Sequence, residues 1–232
     1  YKRHAAILTI IDTFTRHVLH YYVSYSIKKQ DVKKCWEYVI INHLQGYVTP
    51  GESIHIEVRN DNDKRFSAKL VQEYFAENFL NQVFTHPYTP QENGHIESFH
   101  AILSEHLNRF NFWSIQELMQ NLELFYEKYN NKRIHSSIAY LTPCDFWNLW
   151  NKNLIEKITN YKMRKIKFKL KIDYQEVKKH TGNNEPEVAS LHNKSHLKGV
   201  PLIREKELVG AYSTLNIRSK KSPSVVHCDA NI

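Results

Sequence analysis

Over the first 150 residues the hydrophobic period switches repeatedly between that of a strand and that of a helix, and this alternation restricts the chain to an α/β arrangement. Residues 5–11 (AAILTII) are a continuous β-rich apolar run. After the short connection DTFTR, residues 17–24 (HVLHYYVS) give a second strand, and the two read as a hairpin. Residues 30–45 place Val32, Cys35, Trp36, Val39, Ile40 and His43/Leu44 at three-four spacing, one face of a helix that Gly46 is suited to end. Ile54, Ile56 and Val58 then alternate with His55 and Glu57 in a short strand that runs into the polar cluster RNDNDKR. Residues 67–80 predict a helix N-capped by Ser67, and Gln82–Phe84 a last short strand. The stretch HPYTPQENGH reads as a loop by its prolines, Asn and Gly. The helix after it carries an apolar stripe of Ile96, Phe99, Leu103, Leu107 and Phe110, with Glu97 off that stripe. Residues 114–130 predict a further amphipathic helix begun by Ser114. The resulting order is β-β-α-β-α-β-α-α.

Charge divides the chain differently. Residues 1–150 carry 15 Lys/Arg against 16 Asp/Glu, whereas residues 151–232 carry 17 against 8, so the whole excess of basic residues is C-terminal. Such a segment suits contact with a polyanion, because Lys and Arg that neutralise phosphates release counterions. The plainer alternative is a solvated basic tail. Within it, residues 165–172 (KIKFKLKI) alternate strictly, giving a strand with Lys on one face and Ile, Phe and Leu on the other. We therefore expect a near-neutral body over 1–150, a basic β-rich extension over 151–179, and a mostly irregular or disordered tail over 180–232, where periodicity is weak.

Several classes are disfavoured. No run of about 18 apolar residues is present, and the first residues lack a signal-peptide pattern, so neither a membrane span nor secretion is expected and the cytoplasm is the expected compartment. Cys35, Cys144 and Cys228 are far apart and odd in number, which argues against a disulfide framework or a zinc finger. Fourteen His form neither HExxH nor a His-x-His cluster, arguing against a zinc enzyme. The chain begins with Tyr and enters its first apolar run within a few residues, which reads as a piece of a longer protein.

Asp61 ends a predicted strand, Glu97 lies early in a predicted helix, and 35 residues separate them. Spacing alone proves little among 24 acidic residues. The context is more specific: VRNDNDKRFS precedes, HPYTPQENGHIESFH contains Glu97, and YNNKRIHSSIAYLTPCDF follows. Together these segments resemble the catalytic core of retroviral-type integrases and bacterial insertion-sequence transposases, polynucleotidyl transferases of the ribonuclease-H-like fold. The resemblance covers about residues 5–150. It implies a mixed sheet flanked by helices, with Asp61 as the second catalytic Asp and Glu97 as the catalytic Glu. It also implies two divalent ions, Mg or Mn, at that site, DNA as partner (the ends of a mobile element and a target) and a homo-multimer on DNA.

By the same resemblance, Arg59, Lys64 and Arg65 are candidates to hold phosphates, and Tyr88, Gln91, Asn93 and His95 fall on a loop that contacts DNA ends in relatives. Arg133 and His135 match a signature downstream of the core and are either structural or DNA-contacting. Two departures stand out. The segment ILTIIDTFTR matches the family's second strand, so Asp12 is expected to cap a turn rather than to catalyse, and the first catalytic Asp and the central strand that bears it are expected upstream of Tyr1. Asp63 stands where the family usually has Gly; it either crowds the loop, adds an anionic ligand, or is a solvated turn residue. Three functions are compatible with these residues: metal-dependent DNA cleavage and strand transfer, a catalytically inactive DNA-binding remnant or regulator, and a nuclease that cuts without joining.

Overall fold

The computed structural model describes residues 3–44, 55–84, 90–160, 165–181 and 205–217. The chain folds as two compact units, one built of Tyr1–Phe14, Val18–Tyr126 and Ile203–Ile232, the other of Thr15–His17 and Glu127–Leu202. Along the chain the second unit begins in earnest at Glu127.

The first unit is a mixed sheet with helices. Strand β1 (Arg3–Asp12) pairs antiparallel with β2 (Val18–Ser24), the expected hairpin. Helix α1 (Lys29–Val39) follows and widens into a π turn over Ile40–Leu44. Then come β3 (His55–Asn60), α2 (Lys69–Glu77), β4 (Leu80–Phe84), α3 (Pro90–Leu107) and α4 (Ile115–Asn131), which runs on into the second unit. The core on one sheet face joins Ala6, Leu8 and Ile10 of β1 and Ile56 and Val58 of β3 to Val32, Trp36 and Val39 of α1 and Val71 and Phe75 of α2. Trp36 is fully buried and meets Phe75 edge to face at 5.1 Å, a favourable geometry for two aromatic quadrupoles. On the other face, Thr9 shares a 2.7 Å hydrogen bond with the Tyr126 hydroxyl of α4, and Tyr126 stacks on Phe99 of α3. β1 is therefore buried on both sides, as its unbroken apolar run requires.

The middle of the sheet departs from expectation. A strand from the far end of the chain, β7 (Glu205–Ile217), lies between β1 and β3, giving the order β2-β1-β7-β3-β4. It runs antiparallel to β1, from Arg3↔Ile217 to Asp12↔Leu208, and parallel to β3, from His55↔Glu205 to Asn60↔Gly210. The vacancy expected in the sheet is thus filled from residues expected to be irregular. Backbone hydrogen bonding explains it: β1 and β3 each present a row of donors and acceptors that a strand between them satisfies.

Two local expectations are also corrected. Residues 90–95, expected as loop, are the first turns of α3; Pro90 at its start has the fixed φ that a first helical residue uses. Ser67 does not cap α2. The N-cap is Ala68, and the Ser67 hydroxyl instead donates to the Asp63 carbonyl at 3.5 Å. Ser114 does act as expected, its hydroxyl accepting from the Glu117 amide at 3.1 Å while the Glu117 carboxylate accepts from the Trp113 amide at 2.8 Å. The stripe Ile96, Phe99, Leu103 and Leu107 is buried, whereas Phe110 falls beyond the end of α3 and is exposed.

The second unit contains α5 (Pro143–Asn151), an antiparallel hairpin of β5 (Ile155–Asn160) and β6 (Lys165–Leu170), and α6 (Tyr174–Thr181). Phe168 of β6 packs edge-on against Phe146 and Trp150 of α5. The alternation read over 165–172 is therefore a real strand whose aromatic side has a partner helix. No helix among the described residues is long and apolar enough to cross a membrane. Cys35 is buried, its thiol pushed up to about 12 chiefly by desolvation, and Cys144 is half-buried; Cys228 lies outside the described residues.

Candidate active site

In β3, Ile56 and Val58 point into the α1/α2 core and Asn60 is buried on the same side, so alternation along the strand turns Glu57 and Arg59 to the opposite face. That is the face on which Thr9 meets Tyr126 and over which α3 packs against β7. Glu97 lies in the second turn of α3, half-buried beside the stripe that faces the sheet. Asp61 directly follows the last residue of β3, and Glu97 stands on α3, the next helix but one after β3.

The loop after β3 is fixed from several sides. The Gln82 amide of β4 donates to the Asn60 side-chain oxygen and to the Phe66 carbonyl, both at 3.0 Å, so it ties the end of β3 to the far side of the loop. Sequence reasoning passed over Gln82, whose only signal was a polar residue inside a strand. Asp61 accepts from the Asp63 amide at 3.3 Å; burial, reinforced by the nearby Asp63 charge, holds its carboxyl above the usual range, and that backbone bond and Arg65 oppose the rise. Asp63 is neither a loose ligand nor a solvated residue. Its carboxylate accepts from the Arg65 amide at 2.8 Å and from Arg65 Nε at 2.7 Å, and pairs with Arg65 Nη2. The Arg65 guanidinium accordingly holds Asp63 below the usual carboxylate range.

The other candidates are distributed as follows. Arg59 is ion-paired with Glu57 at 2.7 Å, Arg65 with Asp63, and Lys64 is exposed on the loop. Gln91 and Asn93 belong to the first turn of α3, His95 is exposed one residue past Gly94, and Tyr88 lies outside the described residues. Arg133 and His135 belong to the second unit. His135 is half-buried, its ring edge-on to Tyr129 at 5.1 Å and its pKa lowered to about 4 by burial and by Arg133 and Arg16. Asp12 is fully buried at the end of β1 and accepts from the Phe14 amide at 3.0 Å, the turn-capping role expected of it.

His100 was missed. It follows Glu97 by three residues and so shares its side of α3; burial lowers its pKa to about 4, and its Nε2 is buried with no hydrogen-bond partner. The helical i, i+3 relation to Glu97 was the available signal.

Two carboxylates are hard oxygen donors of the kind Mg accepts, with water filling the remaining positions. Among the described residues no group of three or more His, Cys, Asp or Glu converges on one point. β7 contains no Asp, and its two glutamates, Glu205 and Glu207, stand opposite His55 and Glu57 at the start of β3, away from Asp61.

Residues 79–143 match the integrase core domain family. That segment of the chain is similar to an integrase core. The matched span includes Glu97, Arg133 and His135 and stops short of Asp61. Over 145 residues the chain is 24% identical to the insertion element IS407 uncharacterized 31.7 kDa protein of Burkholderia multivorans, covering 62% of this chain and 49% of that protein. The chain thus spans about half the length of that relative. Among solved structures, it is similar to the catalytic core domain of bovine immunodeficiency virus (BIV) integrase, with 22% identity, a TM-score of 0.44, and 59% of this chain and 81% of that one covered. A chain of the simian T-cell lymphotropic virus intasome, solved with the PP2A regulatory subunit B56 gamma, gives 14% identity and a TM-score of 0.48, with 59% and 46% covered.

Proposed function

We propose that the protein acts on DNA in integration or transposition, with Asp61 and Glu97 forming the centre that cleaves a DNA strand and joins the freed end to a target. The observation that supports this reading is the similarity of residues 79–143, which include Glu97 in the second turn of α3, to an integrase core domain, with Asp61 directly after β3. Asp61 and Glu97 would hold Mg or Mn. When bound, two such ions supply Lewis-acid stabilisation of the attacking and leaving oxygens of an in-line phosphoryl displacement. Gln82 and Asn60 keep the strand end in place, so Asp61 needs little reorganisation. No side chain need serve as nucleophile, since water and then a 3′ hydroxyl fill that role.

Around this centre, exposed Lys64 meets phosphate directly, while Arg59 and Arg65 reach it by exchanging Glu57 and Asp63 for a phosphate oxygen. Tyr88, Gln91, Asn93 and His95 contact the DNA end. Arg133 adds a contact from the second unit, its loop held in shape by His135. The protein works in the cytoplasm as a homo-multimer on DNA. The defining assay follows metal-dependent end cleavage and strand transfer on the terminal sequences of the element that encodes the chain. Glu97→Gln is expected to abolish both reactions with DNA affinity and unfolding midpoint unchanged. Activity that persists in that variant would remove the assignment.

A second reading has its own support. β7 brings no carboxylate beside Asp61, which favours a DNA-binding remnant or regulator without catalysis. DNA binding by the parent chain with no metal-dependent product would select it.

A further inference from the structure

The second unit presents two exposed tyrosines that its packing does not explain. Other aromatic rings of this unit are engaged with one another: Phe168 packs on Phe146 and Trp150, and Tyr129 meets His135. Tyr140 and Tyr174 are instead 63% and 54% exposed. Tyr140 stands in a tight loop just after the short 3-10 turn Ser136–Ile138. Backbone bonds close that loop, the His135 amide donating to the Leu141 carbonyl at 2.9 Å and the Tyr140 amide to the His135 carbonyl at 3.0 Å. From α6, the Tyr174 hydroxyl donates to the Ala139 carbonyl at 2.5 Å, which anchors the far end of its ring one residue from Tyr140.

Ala139 and Tyr140 both have left-handed φ, 58° and 57°, where a Cβ is disfavoured and glycine is not. A buried ring offsets such a cost by packing, but the Tyr140 ring lies in solvent. Glycine would suit the loop better, so the ring needs another explanation, and backbone strain of this kind persists where it presents a side chain to a ligand. Charge indicates which ligand. Residues 151–181 hold ten Lys/Arg against three Asp/Glu, and one of the three, Asp173, is occupied at the start of α6, accepting from the Tyr174 amide at 2.9 Å. β6 runs beside the turn Ser136–Ile138 and ends four residues before Tyr174. With Phe168 turned to α5, alternation puts Lys167 and Lys169 on the other face of the hairpin, where both are exposed; Glu156 stands opposite Lys169 in the register. Exposed aromatic rings beside a row of lysines suit a chain that carries both phosphates and free π faces.

We infer that Tyr140 and Tyr174 form a stacking platform for the unpaired bases of a single-stranded nucleic acid, whose phosphates Lys167 and Lys169 attract. Bases in a duplex are stacked on their own neighbours and offer no free face, so the platform selects unpaired strand. It uses none of the residues around the carboxylate pair. It rests on the reading that the protein acts on DNA, and adds to that reading a preference for single strands.

The test uses the full chain in EDTA, with binding followed by fluorescence anisotropy over a salt series on a short oligothymidylate, an abasic strand of the same length and a blunt duplex. The parent is expected to bind oligothymidylate several-fold more tightly than the abasic strand. Tyr140→Ala, at an exposed side chain, should keep the unfolding midpoint and weaken oligothymidylate binding by roughly tenfold, with the salt slope unchanged because a lost stack removes no ionic contact. Tyr140→Trp should retain tight binding. The double change Lys167→Gln and Lys169→Gln should act in the opposite manner, lowering the slope of log affinity against log salt by about 0.7 for each lost phosphate contact on both single strands. A parent that holds the abasic strand as tightly as oligothymidylate would overturn the platform and leave a protein segment as the cover for the two rings. So would a Tyr140→Ala variant that folds normally and binds like the parent. Because Glu97→Gln leaves base stacking untouched, loss of strand transfer and loss of the platform are read separately. Binding to the duplex with none to either single strand would remove the platform and keep the DNA reading, whereas a parent that binds no DNA at all would bring down both.

Discussion

His20, His100 and His135 each have a pKa near 4, in every case chiefly because burial disfavours the charged ring; the His43 charge adds to this at His20, and Arg133 and Arg16 add to it at His135. The unfolded value is 6.5. Between pH 6.5 and about 4 the unfolded chain takes up these protons and the folded chain does not, so stability present above pH 6.5 is lost as pH falls toward 4. Urea titrations at stepped pH should show that decline, and replacing all three residues with Gln should flatten it; an equally steep decline in the triple variant would exclude them as its source. Ala139 and Tyr140 adopt consecutive left-handed conformations, φ 58° and 57°. A Cβ there costs about 1–2 kcal/mol, against a loss of about 0.5–1 kcal/mol from the added freedom of glycine in the unfolded chain. Ala139→Gly is therefore expected to stabilise by roughly 0.5–1 kcal/mol, read as a raised urea midpoint at unchanged slope.

Among the elements, the same signal in sequence had two outcomes. Ser114 and Ser67 both precede helical patterns, yet Ser114 caps its helix and Ser67 is drawn away to the Asp63 carbonyl by a loop already folded around Arg65. A cap is legible from sequence only where no tertiary acceptor competes for the hydroxyl. α5 has the full pattern, with Thr142 Oγ1 accepting from the Asp145 amide at 3.1 Å and Pro143 opening the helix. Thr142→Ala should cost about 1 kcal/mol, measured by chemical denaturation; a negligible change would mean that solvent replaces the cap fully. In α3, a Cβ built on Gly94 meets nothing within 4 Å. Gly94→Ala is expected to stabilise the helix by up to about 1 kcal/mol, with added amide protection over residues 90–97 as the readout.

For the whole molecule the decisive element is β7, which lies in the sheet between the β2-β1 hairpin and the parallel pair β3-β4. A chain ending before residue 205 would leave the inner edges of β1 and β3 without partners. Such a truncation is expected to unfold without a single cooperative transition and to lose hydrogen-exchange protection at Ile7–Ile11 and Ile56–Arg59. Retention of parental protection there would show that the two halves of the sheet hold together without it. The second unit keeps its own contacts, among them Phe168 on Phe146 and Trp150, so protection in β5 and β6 should survive the deletion.

Local periodicity by itself determined the hairpin, the faces of α1, α3 and α4, the lysine-bearing strand β6, and the capping of a turn by Asp12, because each depends on residues a few positions apart. The segment around Glu97 was likewise recognisable as a string. Tertiary structure decided the rest. β7 could not be placed in the centre of the sheet from its own residues, since a strand is chosen there by unsatisfied backbone groups on β1 and β3 rather than by its own pattern. The capture of Asp63 by Arg65, the Gln82 tie between Asn60 and Phe66, and the meeting of Arg16 with Ser137 are likewise products of distance in space. Sequence periodicity reports which way a side chain points along its own element, while the partner it meets is set by how the elements pack.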